Sequence, residues 1–226
     1  MCGRYTLISG KAKLITRFGV VGKPAGEIKP NYNIAPGQTM PVITGSGKGN
    51  QLELMRWGLI PVWAKDMSIG YKMINARAET LADKPTWKRP FKSQRCLVPA
   101  SGFYEWQKYG KEKTPYYIHL KDQELFAFAG LYDSWTDHST GEVIRSYSII
   151  TTDPNGLMKP IHDRMPVVLD KSKENDWLNP DANEDVGFLE HLLKPFSAKD
   201  MDAYTVSSEV NSAKHNTAEL IEPATA

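Results

Sequence analysis

Cysteine is scarce. The chain holds two, Cys2 and Cys96, too few for a disulfide framework or a thiolate zinc site, and that scarcity suits a reducing compartment. No apolar run approaches the roughly 20 residues of a membrane-spanning helix. Residues 1–20 lack the apolar stretch and small-residue cleavage site of a signal peptide. These absences predict a cytoplasmic protein with no membrane partner. Internal repeats, low-complexity tracts and long linkers are missing too. The 226 residues therefore read as one domain, 1–226, long enough to bury a full core. No spacing of His, Cys, Asp and Glu makes a ligand cluster, so neither metal nor cofactor is expected.

Net charge is also small, +2, and excludes nothing by itself. Its distribution is uneven. Residues 1–120 hold 19 Lys/Arg against 7 Asp/Glu, a net of +12, while residues 121–226 hold 9 against 19, a net of −10. Such asymmetry fits a basic face for a polyanion, or two halves that interleave in space and cancel.

What is abundant is β-type sequence. MPVIT (40–44), LELMRWGLI (52–60), RCLVPASGFYEW (95–106), PYYIHL (115–120), LFAFAGLYDSW (125–135) and IRSYSIITT (144–152) are rich in Val, Ile, Tyr, Phe and Trp and bounded by turn residues. YTVSS in the tail adds a short strand before a polar, irregular end. KAKLITRFGV (11–20) carries apolar residues at helical spacing, and KSKENDWL (171–178) and EDVGFLEHLL (184–193) read as helices. The pattern predicts an α+β fold with a barrel-like, mainly antiparallel sheet and peripheral helices.

Four stretches combine polar residues with tight turns: YNIAPGQ (32–38), INARAET (74–80), GFYEW (102–106) and IHDRMP (161–166). Glu105, between Tyr104 and Trp106 in an otherwise apolar strand, is a candidate desolvated carboxylate, and burial raises a carboxyl pKa toward the range of proton shuttling. His162 titrates near neutrality without tuning. Arg4, Arg77 and Arg164 carry the planar fork that grips phosphate, and Asn75 can donate to a sugar oxygen. Each has a plain structural alternative: a turn residue, a solvent-facing edge residue, or a hydrogen-bonded core histidine.

The opening MCGRYT raises a further point. Methionine aminopeptidase removes Met1 when the second residue is small, which would leave Cys2 with an α-amine and a thiol on adjacent carbons.

MCGRY, YNIAPG, WGLIP, INARAET, GFYEW and IHDRMP, in this order and spacing, resemble the SRAP family (SOS-response-associated peptidase), and the similarity runs from Cys2 to the final ELIEP. The resemblance implies a single SRAP-type domain that recognises abasic sites in single-stranded DNA and crosslinks to them through the N-terminal cysteine. It matches Cys2 to the nucleophile, and Asn75, Glu105 and His162 to the polar residues around it. It matches Arg4, Arg77 and Arg164 to contacts with the DNA backbone, and Asn33, Pro36 and Trp63 to the binding surface. It further implies abasic DNA at single-strand/duplex junctions, replication-fork partners, a monomer, nucleoid association on DNA, and lyase or autoproteolytic side activity.

The chemistry explains the choice of residue. An opened abasic deoxyribose exposes an aldehyde at C1′. A neutral α-amine adds to it, water leaves to give an imine, and the sulfur then adds to the same carbon to close a five-membered thiazolidine. An α-amine of pKa about 7.7–8.0 is roughly a quarter neutral at pH 7.4, whereas a lysine near 10.4 is about 0.1% neutral. The imine also acidifies C2′, so β-elimination of the 3′ phosphate competes until the ring closes. Two hydrolytic readings also begin from Cys2: a glutamine amidotransferase-like enzyme, which also starts Met-Cys-Gly, and a cysteine peptidase pairing Cys2 with His162. A DNA-binding module without chemistry is the third alternative.

Overall fold

A computed structural model describes residues 2–22 and 26–224; the expected removal of Met1 lies outside these residues. Among them, the apolar runs form β1 (Arg4–Leu7), β2 (Asn31–Ile34), β3 (Thr39–Ser46), β4 (Gly49–Trp57), β5 (Asn75–Arg77), β6 (Arg95–Ala100), β7 (Gly102–Tyr109), β8 (Glu112–Leu120), β9 (Phe126–Thr136), β10 (Val143–Thr152), β11 (Met165–Pro166) and β12 (Met201–Thr205). The helices are α1 (Lys11–Phe18), α2 (Pro85–Ser93), α3 (Glu174–Leu178) and α4 (Val186–His191).

The strands make two sheets. In one, β10, β4, β3, β6 and β9 pair in turn, and β9 pairs back to β10, closing a barrel with β5 and β11 attached to β10. The other has the order β12-β8-β7-β1-β2 and is antiparallel throughout. Among the described residues the strand pairings of β10 with β4 and β5 are parallel, as is an isolated bridge from Val20 to Asn50 of β4, and the other strand pairings are antiparallel. The α+β class with a barrel-like, mainly antiparallel sheet and peripheral helices therefore holds.

Aromatic residues lock the sheets together. Tyr5 on β1 meets Trp57 on β4 edge-to-face at 5.1 Å, and its hydroxyl shares a 2.6 Å hydrogen bond with that of Tyr147 on β10. Phe103 on β7 meets Phe128 on β9 edge-to-face at 5.9 Å. All five side chains are buried. These contacts fix β1, and hence the chain start, against the barrel.

Several expected boundaries move. RCLVPASGFYEW is two strands, because the chain leaves the barrel at Ser101, whose amide bonds Thr6 of β1. The crossing needs Gly102, where a Cβ would lie 2.3 Å from the Tyr117 ring. The strand expected over 52–60 stops at Trp57, since Gly58 takes φ +111° and a Cβ there would lie 2.6 Å from the Gly70 carbonyl oxygen. Residues 171–173 form a 3₁₀ turn before α3, and the tail strand spans Met201–Thr205. The tail beyond it is ordered by 3₁₀ turns at Ser208–Asn211 and Ala218–Ile221 that bury Val210 and Leu220.

The charged halves interleave. β10 lies against β4, and β12 against β8, so charge asymmetry along the chain does not by itself make a basic face.

Candidate functional site

β1 pairs with β7 only as far as Arg4 opposite Tyr104. Beyond Tyr104 no described strand covers that edge of β7. The antiparallel register carries the chain back from Arg4 toward Glu105 and Trp106, so the start of the protein meets the middle of β7. A cavity of about 480 Å³ opens there, lined by Glu105, Trp106, Lys108, Lys113, His162 and Asn211.

Cys2 is fully buried, and its Sγ lies 3.9 Å from the Arg4 carbonyl oxygen. Burial pushes its thiol pKa well up, and the Glu105 carboxylate pushes it the same way. The sulfur therefore carries its proton at neutral pH. Glu105 is only 2% exposed, and burial raises its carboxyl to about 7. His162 places Nε2 3.9 Å from Glu105 Oε2. Its Nδ1 accepts a hydrogen bond from the Arg164 amide at 3.0 Å, which assigns the neutral ring's proton to Nε2. Burial depresses the His162 pKa, while the exposed Asp163 carboxylate, 2.9 Å from Nδ1, works against that shift. Thiol, carboxyl and imidazole thus form one cluster in which Glu105 is poised between its two protonation states near neutrality.

Asn75 and Arg77 occupy β5, paired in parallel register with Ile149 and Thr151 of β10. Asn75 Nδ2 reaches the Ile149 carbonyl at 3.4 Å, and its buried Oδ1 accepts no hydrogen bond among the described residues. Arg77 is exposed and makes no ion pair among the described residues.

Arg164 differs. Its Nη1 and Nη2 grip Glu79 at 2.8 and 2.9 Å, Nη2 also bonds the Thr151 carbonyl at 2.7 Å, and Nη1 lies 3.1 Å from Asp153. Its side chain is 12% exposed. Its guanidinium is committed to the protein and ties the turn after β5 to the His162 loop.

Arg4 and Asn33 are committed too. Arg4 Nη1 donates to Asn33 Oδ1 at 2.6 Å and to the Val210 carbonyl at 2.8 Å. Asn33 Nδ2 donates to the carbonyls of Val210, Ser212 and His215. Asn33, expected as part of the binding surface, is 1% exposed and pins the tail segment that brings Asn211 to the cavity. There Asn211 Oδ1 accepts from Trp106 Nε1 at 2.7 Å.

Pro36 starts the tight turn Ala35–Gln38, completed by Gly37 at φ +91°. Arg56 Nη1 donates to the Gly37 carbonyl at 2.6 Å and its Nη2 to the Tyr71 hydroxyl at 3.0 Å. Trp63 is 59% exposed. No hydrogen bond or ion pair among the described residues links Pro36 or Trp63 to the cavity.

Sequence reading noted Trp106 only as a flank of Glu105 and missed Lys108, Lys113 and Asn211. Trp106 closes GFYEW and the two lysines follow it along one hairpin, so these three were open to detection. Asn211 carries no local signal, since it arrives from a polar tail about a hundred residues away. Among the described residues there is no group of three His, Cys, Asp or Glu side chains that fits a metal ion.

The family model for SOS response associated peptidase (SRAP) matches residues 1–213. The chain is 52% identical over 224 residues to the abasic site processing protein YoaM of Bacillus subtilis, covering 98% of each. It is 34% identical to the abasic site processing protein HMCES of Xenopus tropicalis, across 85% of this chain and 66% of that protein. A crystal structure of a Bacteroides thetaiotaomicron protein superposes with a TM-score of 0.91 at 33% identity, covering 99% of this chain and all of the other.

Proposed function

The chain belongs to the SOS response associated peptidase (SRAP) family, and from that premise we propose that it traps abasic sites in single-stranded DNA as a covalent thiazolidine on Cys2. The observation that carries the reading is the burial of Cys2 beside Glu105, whose carboxyl titrates at about 7 and faces His162 Nε2. A group of that pKa donates and accepts protons with similar ease near neutrality.

Removal of Met1 gives Cys2 its own α-amine. The neutral amine adds to the C1′ aldehyde of the opened sugar, and the carbinolamine takes a proton from Glu105 as water leaves. The thiol then adds to C1′. Because burial keeps the sulfur protonated, its proton passes to the Glu105 carboxylate as the C–S bond forms, which restores the acid, while the iminium nitrogen keeps the proton it already carries and becomes a neutral ring amine. Amine, aldehyde and thiol thus yield thiazolidine and one water. His162 faces Glu105 with Nε2 at 3.9 Å, near enough to favour the carboxylate electrostatically and to relay a proton through one intervening water. Asn75, whose buried Oδ1 has no partner among the described residues, orients the open sugar. Arg77, exposed and without an ion pair among the described residues, takes a backbone phosphate, and Trp63 offers an exposed face to a base. Arg164, Arg4 and Asn33 act at one remove, by holding the loops that carry the site.

The same imine admits β-elimination of the 3′ phosphate, and ring closure by sulfur suppresses it. A cysteine peptidase would need the opposite electrostatics, a thiolate of lowered pKa beside a cationic partner. The burial of Cys2 and the acid next to it disfavour that state.

The test is direct. Uracil-containing single-stranded DNA is treated with uracil glycosylase and incubated with the protein. A heat-stable shifted band on a denaturing gel is expected from the wild type and none from Cys2→Ala. An undiminished band from Cys2→Ala would remove Cys2 from the chemistry.

A further inference from the structure

The β7–β8 hairpin carries a charge arrangement that folding alone does not explain. Its register sets Lys108 directly opposite Lys113. Like charges in facing positions of an antiparallel pair repel and destabilise the sheet. Neither lysine makes an ion pair or a side-chain hydrogen bond among the described residues, although the chain uses lysines in this way elsewhere, as in Lys92 with Glu184 at 2.6 Å. Both line the cavity that holds Glu105 and His162. The hairpin turns through Gly110 at φ +60°, next to Tyr109, which is 86% exposed, and Lys111 adds a third cation at the tip.

We infer that Lys108 and Lys113 form a phosphate subsite that grips one backbone phosphate of the damaged strand beside the reacting nucleotide. The inference rests on the proposed capture of abasic DNA. Two lysines at facing register positions that line one cavity repel less when a phosphate comes between their ammonium groups. The adjacent exposed tyrosine suits a strand, since single-strand binders pair a basic track with aromatic faces on which bases stack. The position also serves the chemistry. Lys108 and Glu105, three residues apart on β7, project to opposite faces of the strand yet both line the one cavity, so a phosphate held at Lys108 leaves the neighbouring sugar within the cavity that holds the carboxyl. Lys108 lies near enough to His162 to contribute, behind burial, to the depression of its pKa.

The test compares the wild type with Lys108→Gln/Lys113→Gln. Binding is measured by fluorescence anisotropy on undamaged single strands over a salt series, and crosslinking on the same strands carrying one abasic site. Methylphosphonate neutralises one phosphate at a time around that site. The double variant should melt like the wild type, crosslink more slowly at subsaturating DNA, and lose about 0.7 from the slope of log affinity against log salt. One methylphosphonate position should weaken the wild type several-fold and leave the double variant unaffected. An unchanged salt slope, or an identical methylphosphonate profile in both proteins, overturns the subsite. A wild type that binds with this phosphate signature yet never crosslinks would instead overturn the covalent reading and leave the subsite standing.

Discussion

His162 presents Nε2 to Glu105 Oε2 at 3.9 Å while its Nδ1 accepts from the Arg164 amide at 3.0 Å. The backbone thereby fixes the tautomer, and the proton faces the carboxyl. Burial lowers the His162 pKa and raises that of Glu105 to about 7. At neutral pH the imidazole is thus uncharged, and the carboxyl is the group that exchanges protons.

The first prediction follows from that division of labour. Acid–base groups contribute about 10²–10⁴-fold, so Glu105→Gln should slow single-turnover crosslinking at least tenfold with DNA binding nearly intact. His162→Ala should slow it less. The wild-type rate should rise as the α-amine deprotonates and fall above about pH 7 as Glu105 loses its proton, giving a bell. Rates from pH 5 to 9 at saturating DNA check this. A Glu105→Gln protein with the wild-type rate across that range would make Glu105 a structural residue of β7.

The second prediction separates two arginines that look alike in sequence. Arg77 is exposed and unpaired among the described residues, while Arg164 is held bidentate by Glu79. Arg77→Ala should weaken binding to damaged and undamaged strands equally, because phosphate contacts carry no sequence information, and should flatten the salt slope by about 0.7. Arg164→Ala should leave that slope unchanged and instead slow crosslinking, by loosening the loop that carries His162. Equal loss of slope in both variants would place Arg164 on the DNA.

How much of this was legible in the sequence divides along physical lines. The long strands announce themselves through runs of β-branched and aromatic residues, and Glu105 through the contrast of a carboxylate set among them. β1, β2 and β5 are four residues or fewer and too short for a periodicity. α2 starts at Pro85 and contains Pro90, which hides it from any propensity reading. It holds because Pro85 takes the first helical position, where no amide bond is lost, and because the buried Arg95 bonds the Phe91 carbonyl at 3.0 Å and that of Lys92 at the helix end. Arg164 and Asn33 read as ligand-binding residues because their partners, Glu79 and the Val210–His215 carbonyls, are distant in the chain. An arginine's exposure is set by whichever partner the fold delivers, and no local pattern encodes it.

The third prediction concerns stability. Arg17 of α1 bonds Glu174 of α3 through both nitrogens, at 2.8 and 2.7 Å, with both side chains largely buried. Burial raises the Glu174 pKa and the guanidinium opposes it. Removing one partner strands the other, so Arg17→Met should cost about 3 kcal/mol in urea unfolding, and Arg17→Met/Glu174→Leu should recover most of that. A neutral Arg17→Met would show that the pair is solvated in solution.

The last prediction tests the Glu105 environment without any DNA. A carboxyl at about 7 in the folded chain and near the ordinary glutamate value of 4.5 when unfolded binds more protons folded than unfolded between those pH values. Stability then falls as pH rises through that window. Below about pH 4.5 both states are protonated and burial costs nothing extra. Above about pH 7 the folded state carries a desolvated charge, a difference of about 3 kcal/mol at about 1.36 kcal/mol per pKa unit. Glu105→Gln keeps the size and hydrogen-bonding edge of the side chain but cannot ionise. Its stability relative to wild type should therefore climb by that amount between pH 4 and pH 8, with most of the rise between 4.5 and 7. Groups elsewhere, His162 and Glu174 included, titrate in both proteins and largely cancel in the difference. Urea unfolding of the two proteins at a series of pH values gives the curve. A difference that stays flat with pH would mean that Glu105 ionises as an ordinary carboxylate, and the proton relay proposed for it would lose its basis.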